Sequence, residues 1–96
     1  MRSNKLTRQL RNTLVAYCRY MEAKSLDEFA HVIQQGGLPW FPDAFAQAMT
    51  DGIFTPDTWD RITETDLEED DFDQVETDLR EVWAHTAPDR PFPLGQ

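Results

Sequence analysis

Cysteine is almost missing from this chain: Cys18 stands alone, so no internal disulfide can form and no thiolate cluster can hold a metal. A lone thiol of this kind is expected to pack as a small hydrophobe. Long apolar runs are missing as well. Arg, Asp or Gln interrupts every apolar segment well short of the roughly 18 residues that a membrane span needs, which excludes an integral membrane protein. No continuous apolar region or small-residue cleavage site follows Met1, Arg2, Ser3, Asn4 and Lys5, so the sequence predicts no secretory signal and a cytoplasmic protein. Histidine is scarce too: His31 and His85 are the only two. Cations are outnumbered, with 9 Lys and Arg against 18 Asp and Glu and a net charge of −9. That balance disfavours direct nucleic-acid binding, because a phosphate backbone is held by clustered cations and repelled by a net anion. It favours a basic protein partner.

What remains is ordinary globular material. Hydrophobic residues make up 40% and charged residues 28% of 96 residues, enough for one compact core and too little for two. The charge is unevenly spread. Arg2, Lys5, Arg8, Arg11, Arg19 and Lys24 face only Glu22 in residues 1–24, whereas Arg61, Arg80 and Arg90 are all that offset the carboxylates beyond.

Helical periodicity dominates. Leu6, Leu10, Leu14, Tyr17, Cys18 and Met21 recur at three- and four-residue spacing and predict a first helix, with Arg8, Arg11 and Arg19 off the apolar stripe. Ser25 and Glu28 form a capping-box pattern ahead of Leu26, Phe29, Ala30, Val32 and Ile33, and Gly36 and Gly37 end that second helix. A third short helix is expected from Pro42 or Asp43 to about Thr50, with Gly52 as its stop. Thr55, Pro56 and Asp57 open a fourth through Trp59 and Ile62. Thr65 and Glu68 repeat the capping-box pattern before Phe72, Val75, Leu79, Val82 and Trp83, which predict a last helix to about His85. Gly52 to Thr55 offers the one stretch that could pair briefly as a strand. Pro88, Pro91 and Pro93 exclude helix from the end of the chain, which is expected to run extended, pinned by Phe92 and Leu94. The expected fold is all-α: a single compact domain of about five helices in residues 1–86, with a proline-rich tail in residues 87–96.

Catalytic patterns are thin. Nucleophilic hydrolysis needs a hydroxyl or thiol presented to an oriented histidine base. His31 lies between Ala30 and Val32 inside a helix, and His85 lies in a last helical turn, where a cation suits the helix dipole. A structural role is the simpler reading for both. No phosphate-binding loop is present, since Gly36 and Gly37 are followed by Leu38 and Pro39. The sequence therefore predicts a non-enzymatic protein without cofactor or metal.

The feature that stands out is acidic: Asp66, Glu68, Glu69, Asp70, Asp71 and Asp73 place six carboxylates in eight residues, with Glu76 one turn further on. A helix N-terminus welcomes some carboxylates, but like charges this close repel unless something cationic offsets them. The basic first helix is one such partner; a foreign protein is the other. A calcium loop is the third reading and fails on spacing, because no glycine occurs between Gly52 and Gly95. Trp40, between Pro39 and Pro42, either plugs the core or stands out as an interface anchor, and it joins the candidate partner-binding residues.

Three segments carry a family resemblance: Leu-Pro-Trp-Phe-Pro-Asp-Ala-Phe from Leu38 to Phe45, Gly-Ile-Phe-Thr-Pro-Asp-Thr-Trp from Gly52 to Trp59, and the acidic stretch ending in Val82 and Trp83. The chain resembles the small acidic helical immunity proteins that bacteria pair with secreted toxins, in particular those of contact-dependent growth-inhibition systems with nuclease toxins. The resemblance implies a cytosolic protein that binds one toxin domain, such as an RNase acting on tRNA, and blocks its active site. A structural or regulatory adaptor with no toxin partner is the alternative.

Overall fold

A computed structural model describes residues 6–95. Arg2 and Lys5, counted above with the basic N-terminal segment, and Gln96, at the end of the expected tail, lie outside the described residues. The elements are α1 (Arg8–Cys18), a 3-10 turn (Arg19–Met21), α2 (Ala23–Gln34), α3 (Phe41–Thr50), α4 (Pro56–Thr63) and α5 (Phe72–Thr86). The all-α class is as the periodicity predicts. No strand is present among the described residues, Gly52 to Thr55 included.

Local chemistry explains most boundaries. The Thr7 hydroxyl accepts from the Leu10 amide at 3.2 Å and starts α1. That helix stops at Cys18, earlier than its apolar stripe suggests, because Tyr20 and Met21 turn into the left-handed region at φ 61 and 48. α2 begins at Ala23, so Ser25 lies inside the helix and caps nothing; the Glu22 carbonyl takes the first helical bond, from Leu26, at 3.0 Å. Both glycine stops act as expected. The amides of Gly36 and Gly37 return to the carbonyls of Ile33 and Val32, and those of Gly52 and Ile53 return to Met49 and Ala48. This is the paired bonding of a Schellman end, with Gly36 and Gly52 left-handed at φ 87 and 72. The Thr55 hydroxyl caps α4 by accepting from the Thr58 amide at 3.2 Å, with Pro56 in the first turn.

The core is organised by aromatic rings. Tyr17 stacks on Phe29 at 4.5 Å, Phe29 meets Phe41 edge-on at 4.8 Å, Phe41 stacks on Phe45 at 5.0 Å, and Phe54 links Phe45 to Trp59. This run crosses from α1 through α2 and α3 to α4, each contact adding about 0.5–1.5 kcal/mol beyond the area it buries. Leu14, Cys18, Leu26, Ile62, Val82 and Trp83 are buried with them. α1 packs against α2, α3 and α4, while α5 packs against α2 and α4.

Beyond Thr86 the described residues form no helix, but they turn twice rather than running straight, with Arg90 N–H bonding to Ala87 O and Gly95 N–H to Phe92 O. The Trp83 indole donates to Arg90 O at 3.0 Å, and the Arg80 guanidinium lies 4.4 Å over the Phe92 ring. Phe92 is thus held against the core, whereas Leu94 stands exposed.

Candidate functional site

Only the end of the acidic run opens a helix: Asp71 is the N-cap residue of α5 and Asp73 lies in its first turn. Residues 64–71 connect α4 to α5, and the helix starts at Phe72 with Asp71 before it. The capping box expected of Thr65 and Glu68 is absent for two reasons. Glu64 and Asp66 are left-handed at φ 55 and 62, which reverses the chain, and the Thr65 hydroxyl bonds to that of Thr63 at 2.9 Å. The loop is held by its own groups. Leu67 N–H donates to Asp60 Oδ1 at 3.0 Å, Glu68 N–H donates to Asp71 Oδ2 at 2.8 Å, and Asp71 N–H returns to Glu68 O at 3.0 Å.

This arrangement presents Asp66, Glu68, Glu69, Asp70 and Asp73 to solvent and leaves Asp71 half-buried. None of them takes part in an ion pair among the described residues. The basic first helix does not neutralise the run. Arg8 and Arg11 pair with none of these carboxylates, and Arg19 pairs with Glu64, at the mouth of the loop, at 2.7 Å. Glu76 is different from its neighbours: Arg80, one turn later, holds it at 2.9 Å. Trp40 is half-buried on the core with its ring edge-on to Phe41 at 6.0 Å.

Behind the loop lies a cleft of about 360 Å³ lined by Met21, Thr65, Asp66, Leu67, Asp71, Gln74 and Asp78. Asp78 is the residue that sequence reading misses. It is 8% exposed and accepts from the Trp59 indole at 3.0 Å and from the Gln74 side-chain amide at 2.9 Å, both neutral donors. The available signal was its place on the apolar face of α5, next to Leu79 and three residues after Val75. Phe72, which its spacing places on the core face, is instead 59% exposed beside Asp71 and Asp73. Among the described residues no group of three His, Cys, Asp or Glu side chains is placed to hold a metal ion.

The groups that nucleophilic chemistry would use are dispersed. Cys18 is fully buried, and burial, with a smaller contribution from the charge of Asp78, pushes its thiol up to about 12. The His85 ring bonds through Nδ1 to Glu81 O at 2.9 Å, and its Nε2 lies 3.5 Å from Asp27 Oδ1. His31 is exposed and borders a shallow apolar groove of about 500 Å³ with Tyr17, Lys24 and Val32. No helix among the described residues is long and apolar enough to cross a membrane. No family model, curated protein or solved structure matches the chain.

Proposed function

We propose that this chain is a non-enzymatic inhibitor that binds a basic toxin domain, a nuclease such as a tRNase, through the acidic segment from Asp66 to Asp73. The observation that carries this reading is the set of exposed carboxylates on a bonded loop and the helix start that follows it, with no cation paired to them among the described residues. The start of α5 offsets part of the cost of folding these charges side by side, at Asp71 and Asp73, but no ion pair among the described residues offsets it for Asp66, Glu68, Glu69 and Asp70. A cationic groove built for phosphates repays it on binding, speeds association and is itself blocked. The resemblance to bacterial immunity proteins supplies the class of partner and the cytoplasmic location; no cofactor is required.

The second reading, an adaptor without a toxin partner, draws on the apolar groove between α1 and α2 beside Tyr17 and Val32. It predicts binding that is nearly indifferent to salt. The test is genetic and biochemical. The gene immediately upstream should encode a large secreted toxin whose C-terminal domain kills cells unless this chain is co-expressed, and the two should purify as a complex. A metabolic neighbour, or a toxin domain that this chain neither binds nor silences, would contradict the proposal.

A further inference from the structure

The end of the molecule that carries the acidic loop also carries exposed apolar side chains. Tyr20 and Phe72, at 54% and 59% exposure, are two of the three large hydrophobic residues exposed among the described residues. Their chain neighbours Met21 and Asp71 line the same cleft, where half-buried Leu67 adds a second apolar wall. Asp78 lines it too, and none of the ion pairs among the described residues involves it, although a buried carboxylate is ordinarily met by a cation. Arg19, the nearby cation, is committed to Glu64.

An arginine side chain matches this combination. Its aliphatic stem lies well along apolar walls such as Met21 and Leu67, and its planar head offers five donors to carboxylates. We propose that this face docks an apolar segment of the basic partner, one arginine entering the cleft toward Asp66, Asp71 and Asp78 while the flanking apolar side chains lie on Tyr20 and Phe72. The inference rests on the electrostatic reading above and adds that charge alone does not make the contact.

Nuclear magnetic resonance titration of the full chain tests it with three acetylated, amidated peptides. They are Gly-Ser-Leu-Arg-Leu-Ser-Gly, the same peptide with serine for both leucines, and the same peptide with citrulline for arginine. The first should give saturable shifts at the Trp59 indole and at the amides of Leu67 and Phe72, with the other two binding more weakly. Phe72→Ser, a change at an exposed position, should weaken the first peptide about tenfold. Equal binding of the serine peptide would overturn the apolar docking while leaving the electrostatic reading intact. Equal binding of the citrulline peptide would overturn both. No saturable shift with the first peptide, or shifts that spare the Trp59 indole, would overturn the proposed cleft.

Discussion

The Trp59 indole donates to the buried Asp78 carboxylate at 3.0 Å, joining α4 to α5 behind the acidic loop. Asp78→Ala leaves that N–H without its partner and should lower stability by about 1–3 kcal/mol, whereas Asp78→Asn keeps an acceptor and should cost less. Urea unfolding of the two variants measures the difference. An alanine variant as stable as the parent would show that the bond contributes nothing.

Cys18 gives a prediction in pH. Its thiol rises from the ordinary 9.0 to about 12 in the folded protein, with burial the larger cause. Below 9.0 both states keep the proton and the group is neutral to stability; between 9.0 and about 12 only the unfolded thiol ionises, so its effect is to lower stability as pH rises through that window. The same burial predicts that a chromogenic disulfide reagent reacts with the native protein only at the rate of opening and with the urea-unfolded protein at once. Prompt native labelling would contradict the packing.

The end of α2 tests the glycine geometry. Gly36 is left-handed at φ 87 with open space around it, so Gly36→Ala carries only the backbone penalty of about 1 kcal/mol, a fall of about 4–8 °C in Tm. Gly37→Ala should cost at least as much for a different reason: its Cβ would stand 2.8 Å from Val32 Cγ1 and 3.0 Å from Val32 O. Thermal unfolding of both variants decides the matter.

Much of this fold is readable where one signal acts alone. The Leu10, Leu14 and Cys18 stripe, the Thr55 and Pro56 start, and the Gly36 and Gly52 stops all lie where local chemistry has no competitor. The two capping-box patterns cap nothing, because serine or threonine three residues ahead of glutamate marks a start only where the backbone enters the helix from an extended conformation. Ser25 is already helical, and Thr65 sits between two left-handed residues. The composition of the candidate surface is legible, since Asp66 to Asp73 is acidic by inspection. Its geometry is not, because the cleft depends on α4 and α5 meeting through Trp59 and Asp78, nineteen residues apart.

Thr55 and Thr65 separate true from apparent caps. Thr55→Ala removes a hydroxyl that holds the Thr58 amide and should cost about 1 kcal/mol. Glu68→Ala removes no cap and relieves like-charge repulsion, so it should leave stability unchanged or slightly raised. Chemical denaturation that showed the reverse order would restore the capping box at Thr65.

The unneutralised loop should be felt in the free protein. Raising ionic strength from about 0.01 M to about 1 M shortens the screening length from roughly 30 Å to roughly 3 Å and should raise Tm with a non-binding salt. A flat or falling Tm would place compensating cations beside the loop.

The same carboxylates are proposed to steer association with the partner. Glu69, Asp70 and Asp73 are the positions to change to lysine together, because Asp71 holds the turn through the Glu68 amide and its loss would disturb the loop itself. With the fold verified by circular dichroism, stopped-flow association with the proposed basic toxin domain is then followed against salt. The parent should associate fast and slow steeply as salt rises, and the triple variant should associate more slowly with a shallower dependence. Equal rates and equal salt dependence for the two proteins would contradict the account.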